Sequence, residues 1–324
     1  MTDRRIVAAV VAVVSAVVIV SAAGPALAAQ RAGVATHATN GFSAPKTPWG
    51  DPDLQGVWTN FDETPFERPN PDKAAAAAER AAAAGRYGGK EDPDEGSARS
   101  EYWNAFSSPK TPKRPSMVVD PPDGRVPVKP GAWFYRNYTI LEDTYLSHTP
   151  SERCIARGVP GGMFPGSYNN GMQIVQSPGY VVILSEMLHE TRIIPTDGRP
   201  HLADSTRLWN GDSRGRWDGQ TLVVETINFN GSGIVRATGG LAIRQTPTLR
   251  VVERLTLTDT NTIAYTVTVE DPQTFFRPWT AAMPLNRDSN YRIYEVACHE
   301  GNRRYMEGVL RGGREREKGA GKDK

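Results

Sequence analysis

Lysine is missing from the whole stretch Pro130 to Glu317: these 188 residues carry twenty arginines and none of the chain's nine lysines. A codon bias towards arginine would act everywhere, yet lysine stands on both flanks. The window therefore marks the folded, site-bearing part of the chain. In place of lysine it offers a planar fork of donors that grips carboxylates in pairs and stacks on aromatic rings. An excess of either charge is missing too. With Lys+Arg 38 against Asp+Glu 36, the formal charge is +2, which excludes nucleic acid as a partner because phosphate binding needs a basic stripe. Several catalytic signatures are absent. There is no Gly-x-Ser-x-Gly elbow, no dinucleotide fingerprint, no His-Glu-x-x-His and no Cys-x-x-Cys. Gly158-Val159-Pro160-Gly161-Gly162 lacks the strand–turn–helix setting of a phosphate cradle.

Cysteine is scarce, with only Cys154 and Cys298. Their state depends on compartment, and the N-terminus speaks to that. Arg4 and Arg5 precede a largely apolar run from Ile6 to Ala23, and Ala26-Leu27-Ala28 supplies a small-x-small cleavage site. Residues 1–28 read as an export signal; the alternative is a retained anchor, since the run nearly matches a bilayer span. Cleavage leaves an exported protein, periplasmic or extracellular, with no stable membrane insertion. An oxidising compartment favours a Cys154–Cys298 disulfide. Thiol catalysis is the rival reading, with His299 beside Cys298.

Between the ends, 25 prolines and 31 glycines argue for many turns and few long helices. Residues 29–46 form a polar leader, 47–311 a single β domain, and 312–324 a tail disordered by composition. Residues 60–130 read as a Pro/Ala-rich insertion. Within it, Asn70-Pro71-Asp72 followed by KAAAAAERAAAA and Gly85 predicts a short helix. Residues 88–100 read as a mobile loop, and the seven prolines of Pro109–Pro130 exclude an inner strand. Strands are expected at Gly56–Trp58, Tyr180–Ile194, Thr221–Phe229, Leu249–Thr258, Thr262–Glu270 and Tyr291–His299, punctuated by turns such as Asp218-Gly219 and Asp259-Thr260-Asn261. This is a mainly β protein, an antiparallel meander closing into a barrel or a sandwich.

Gly56-Val57-Trp58 resembles the Gly-x-Trp of the first strand in lipocalin-type (calycin) barrels, which implies a barrel with the Trp plugging one end. The longer motifs TPWGDPDLQGVW, SERCIARGVPGGMFPGSYNNGMQIVQSPGYVVI, EMLHETRIIPTDGRPH, GDSRGRWDGQTLVVET and YEVACHEGN resemble a family of exported bacterial proteins of uncharacterised sequence. That resemblance spans most of Trp49–Leu310 and implies no activity. Function is therefore argued from the residues.

Strand alternation selects them. Glu253 shares a face with Leu249, Val251, Leu255 and Leu257. Glu295 and His299 share one with Tyr291, Ile293 and Ala297, and Glu225 lies with Val223 and Ile227. A buried carboxylate must pair, accept hydrogen bonds or take up a proton, and Arg192, Arg207, Arg214, Arg250 and Arg254 are available partners. The functional reading is an interior site in which Glu253, Glu295, His299, His201 and His189 supply acid–base groups. Arg192, Arg207, Arg214, Trp217 and Glu225 would then bind substrate. The plain alternative is ion pairing on a solvated sheet face. Run 212–219, Asp212 to Gly219, reads as a loop and hairpin turn, either stapled by its own Asp–Arg pairs or rimming a pocket with Arg214, Arg216 and Trp217. No metal or other cofactor is expected from spacing, although His189, His201 and His299 with a carboxylate would suit zinc or iron. The expected function is an enzyme of lyase, isomerase or hydrolase type acting on a small oxygenated molecule. A non-catalytic lipocalin-like ligand carrier and a structural envelope protein are the alternatives. Oligomeric state stays open at this level.

Overall fold

Period-two hydrophobicity buries one face of every strand, and an up-and-down series of such strands does so by curling round on itself. The computed structural model describes residues 41–60, 62, 64–69, 114–135, 148–166, 169–238 and 241–320. The expected export signal, most of the leader, the Ala-rich helix and the 88–100 loop lie outside these. The strands are β1 (Gly56–Thr59), β2 (Val118–Asp120), β3 (Trp133–Tyr135), β4 (Gly171–Ser177), β5 (Tyr180–Ser185), β6 (Glu190–Pro195) and β7 (Asp212–Asp218). They continue with β8 (Thr221–Ile227), β9 (Ile234–Thr238), β10 (Leu241–Arg244), β11 (Arg250–Asp259), β12 (Thr262–Glu270) and β13 (Trp279–Arg287). One helix, α1 (Cys298–Ala320), follows them.

Nine strands make a nearly closed barrel in the order β6-β5-β4-β1-β13-β12-β11-β8-β7, every hydrogen-bonded pair antiparallel. Read around the ring, each strand stands beside its neighbour in this set along the chain, and β1–β13 pairing joins the two ends of the set. Nine is odd, so alternation cannot hold all the way round. At one place two neighbours must run the same way, and that place is β6 beside β7, which share no backbone ladder. Side chains close this seam instead. Gly215 leaves room for its neighbours there: a Cβ would stand 2.9 Å from Thr196 Cγ2 and 3.0 Å from Ile194 Cγ2. β1 is too short to cover β13, and β2 pairs with the remainder of the same β13 edge. A separate small sheet, β3-β10-β9, shares no backbone ladder with the ring, and its Val235 and Ile243 join the same buried core.

The interior is a packed core. Leu222, Leu255, Ile263, Leu285 and Trp279 all have 0% exposure, leaving no water-sized space against them. Each such side chain contributes about 1.5–3 kcal/mol on burial. Trp58, also fully buried, donates its indole N–H to Leu54 O at 3.0 Å, and the Arg287 guanidinium lies 4.3 Å over its ring.

Four expectations are corrected by this architecture. The expected strand Tyr180–Ile194 is two strands, reversed by a tight 3-10 turn at Met187–His189. Asp212–Asp218, expected as loop, is β7. Tyr291–His299 is no strand: β13 already has β12 on one edge and β1 with β2 on the other, so no free edge remains to receive it. The chain instead enters α1 at Cys298, and α1 runs on through Ala320, across most of the expected disordered tail. Glu and Arg are good helix formers, and Arg303 Nε pairs with Glu307 at 2.8 Å one turn on. The disulfide Cys154–Cys298 forms, with Cα atoms 5.8 Å apart. Among the described residues no helix is long and apolar enough to cross a membrane.

Candidate functional site at the barrel rim

β6, β7 and β11 all begin at one end of the barrel, and just inside that rim lies a buried polar network. Alternation points Arg192, Ser213, Thr226, Glu253 and Tyr265 inward, from five different strands. Arg192 holds Glu253 in both prongs of its fork, Nη1 to Oε1 at 3.0 Å and Nη2 to Oε2 at 2.6 Å. Tyr265 donates its hydroxyl to Glu253 Oε1 at 2.9 Å. Arg192 Nη2 also donates to Ser213 Oγ at 3.3 Å, and Ser213 shares a hydrogen bond of 2.9 Å with Thr226. This is the side-chain clasp across the β6/β7 seam. Burial alone would lower the pKa of Arg192, but the facing Glu253 carboxylate overcomes that and raises it. Burial, and then the same carboxylate, push Tyr265 well above the usual phenol range.

Above the clasp stands Glu190, the first residue of β6. Its carboxylate accepts the backbone N–H of Arg157 at 3.1 Å and the side-chain amide of Asn210. Loss of water raises its pKa, against the pull of those two hydrogen bonds and of the charges on Arg192 and Arg157. A side chain at Gly162 would come within 3.7 Å of Glu190 Oε2 and 3.9 Å of Ser185 Oγ, so the glycine keeps the carboxyl approachable. The segment carrying Arg157 is pressed onto β9: a Cβ at Gly158 would lie 2.4 Å from Ile234 O, and φ there is +79°.

Two further observations single out this rim. Buried polar atoms without a hydrogen-bond partner among the described residues include Arg192 Nε in the clasp and Asn210 Oδ1 beside Glu190. Buried polar groups are ordinarily satisfied, so such atoms mark where water or a ligand can make contacts. Left-handed backbone gathers here as well. Leu188 (φ 65°) and His189 (φ 51°) lead directly into Glu190, Asn169 (φ 52°) into β4, and Asn228 (φ 61°) follows β8. Such conformations cost energy and cluster at functional sites.

The residues singled out in the sequence do not converge as expected. Glu253 is inside, with Arg192 as partner. Glu295 and His299 are exposed, one in the extended segment after β13 and one on α1, away from Glu253. Their shared face rested on a strand that does not form. His189 is exposed in the turn before Glu190. His201 Nδ1 bonds Asp212 Oδ2 at 2.9 Å, and its Nε2 lies 3.7 Å from Glu225. Glu225 itself pairs with Arg250 on the outer face, the solvated-sheet alternative. Arg214 binds Asp212 and the carbonyls of Pro200 and Ser213, a staple within its own hairpin and crossover. Arg207 donates to Pro247 O at 3.0 Å from an exposed position, and Trp217 packs partly buried against the core. Among the described residues no three His, Cys, Asp or Glu side chains gather to hold a metal ion, so His189, His201 and His299 do not form the metal set considered above. Sequence reasoning assigned no site role to Asn210, Arg157 or Tyr265, and Glu190 stood out only as the neighbour of His189 at a strand end, where the two side chains point to opposite faces. Only Tyr265 carried a local signal, the alternation of β12 that buries Ile263, Tyr265, Val267 and Val269 together.

Fold and site thus define a disulfide-bonded antiparallel β-barrel with a packed, ion-paired interior and a polar rim at one end. No protein-family model matches the chain, and a search of curated proteins finds no match.

Proposed function

We propose that this is an exported protein that binds a small oxygenated molecule at the Glu190 rim and exchanges a proton with it through the Glu190 carboxyl. The single observation carrying the reading is Glu190 itself. It is a largely desolvated carboxyl beside buried polar atoms that have no partner in the chain. A carboxyl raised towards neutrality is the acid–base group of lyases, isomerases and hydrolases. In this scheme Glu190 takes a proton from the bound molecule, Asn210 orients it, and the Arg192 charge favours developing negative charge. Export agrees with the disulfide, which persists in oxidising compartments.

The separation of Glu253 from Glu295 and His299 favours a second reading, binding without turnover. The same rim then serves as a recognition site, with Glu190 as a hydrogen-bond partner only. The packed interior argues against a ligand lying deep in the barrel in either case.

The experiment screens small hydroxy acids and keto acids by thermal shift on wild type and Glu190→Gln, from pH 4 to 8. Because burial raises the folded-state pKa of Glu190, the folded protein holds that proton longer than the unfolded chain. The penalty is therefore absent below the unfolded pKa and grows as pH rises through the folded one. Glu190→Gln should accordingly be more stable than wild type at neutral pH, with the difference vanishing at the acid end. Ligands should bind wild type with a pH dependence that the variant lacks. A pH-indifferent stability difference, or hits unaffected by the substitution, would remove Glu190 from the site. Product formation from any hit separates enzyme from carrier.

A further inference from the structure

Arg236 is a largely buried cation that forms no ion pair among the described residues. It stands on β9, and its guanidinium lies 3.7 Å over the ring of Phe66 and 5.2 Å from that of Phe164. Stacking covers the faces of the fork and leaves its in-plane N–H donors unused. Nε is fully buried and has no hydrogen-bond partner among the described residues, although the residue as a whole keeps some exposure. Among the described residues no hydrogen bond or ion pair engages this side chain. Other rim arginines differ: Arg192 is paired with Glu253 and Arg214 with Asp212. The carboxylate whose field reaches Arg236 is Glu67, and that group is occupied by the N–H of Val126 at 2.6 Å. The charge of Arg157 opposes it. Burial first, and Arg157 second, pull the Arg236 guanidinium down to about 10. An uncompensated buried charge is costly, and a chain that keeps one while pairing its neighbours keeps it for a counter-ion from outside.

We propose that Arg236, with Arg157 beside it, anchors an oxyanion-binding site at this rim, for a carboxylate or phosphate group carried by a small molecule. The inference rests on the reading of the rim as the ligand site and gives that ligand a charge. Arg157 connects the two parts, since its backbone N–H touches Glu190 and its charge reaches Arg236. An anion seated in the Arg236 fork would hold the rest of the molecule towards the Glu190 carboxyl, where a proton can pass. The planar edge of a guanidinium suits both oxyanions bidentately.

The test follows the melting temperature of wild type, Arg236→Met and Glu190→Gln during titration with sodium acetate, sodium phosphate or sodium chloride at matched ionic strength. Wild type should show stabilisation by acetate, phosphate or both that rises with the logarithm of concentration above Kd, reaching about 5–10 °C at a hundred times Kd, with none from chloride. Whichever salt acts identifies the source of the oxyanion. Arg236→Met should lose the response, and Glu190→Gln should keep it. Should Arg236→Met fail to fold, Arg236→Lys replaces it, keeping the charge without the fork and weakening the apparent affinity at least tenfold. No stabilisation of wild type beyond that given by chloride, or an equal one in the Arg236 variant, overturns the oxyanion site. The behaviour of Glu190→Gln across pH judges the Glu190 reading separately, so the two can fail independently.

Discussion

Glu253→Gln tests whether the barrel seam is held by a desolvated ion pair. The substitution keeps the shape of the side chain and an oxygen for Tyr265, but removes the charge. Arg192 is then left 9% exposed, within a core where Glu253 itself is 0% exposed. Breaking a buried pair by removing one partner costs about 3–5 kcal/mol, because the survivor is an uncompensated charge. At roughly 2–4 °C per kcal/mol for a domain of this size, the melting temperature should fall by about 6–20 °C. Removing both charges is a different perturbation. Arg192→Met with Glu253→Leu replaces the pair by apolar volume, which is often neutral or stabilising. The hydroxyls of Tyr265 and Ser213 would each lose a charged partner, at about 1–3 kcal/mol apiece. The double variant should therefore be no less stable than Glu253→Gln alone. Urea unfolding of wild type, the Glu253→Leu single variant, the Arg192→Met single variant and the double variant closes the cycle that measures the coupling, with Glu253→Gln melted alongside. A loss below about 1 kcal/mol in Glu253→Gln, or additive effects of the two positions, would mean that the pair is solvated and the seam is held otherwise.

Two further outcomes follow from the same geometry. Reducing Cys154–Cys298, which closes a loop spanning 144 residues, should cost about 5 kcal/mol on the chain-entropy account. Denaturant melts with and without reductant measure it, and an unchanged midpoint would show that the loop is already restricted in the unfolded chain. Gly158→Ala should destabilise by about 1–3 kcal/mol, since φ is +79° and a Cβ would lie 2.4 Å from Ile234 O. It should also weaken binding at the rim by shifting Arg157 from Glu190. Wild-type stability and acetate response in this variant would contradict the packing described.

Much of the wall was legible in the sequence because its signal is local. β8, β11 and β12 announce themselves by alternation and by the turns Asp218-Gly219 and Asp259-Thr260-Asn261. β7 was hidden because its run Asp212–Asp218 is polar and Gly-containing, and it is a strand only because β8 pairs with it along its whole length. β13 was passed over for a different reason: Pro284 interrupts its pattern, and the strand holds because its two edges are shared among β12, β1 and β2. The single stretch Tyr180–Ile194 looked continuous because a turn built on left-handed Leu188 and His189 uses no glycine or proline.

By itself, then, the sequence determined the β class, the inward face of Glu253 and the pairing of two lone cysteines. Each of those depends on neighbours along the chain or on having only one partner to choose. Tertiary structure decided the rest. A ring of nine strands needs one parallel pair of neighbours; here it is the β6/β7 seam, which has no backbone ladder, and that seam, not any local pattern, brings Arg192 to Glu253. It also places Glu190 at the rim beside Arg157 and Asn210. The same closure used up the edges of β13, so the segment with Glu295 and His299 had no strand to join and left the interior. Periodicity tells which way a side chain points; only closure of the ring decides what it meets there.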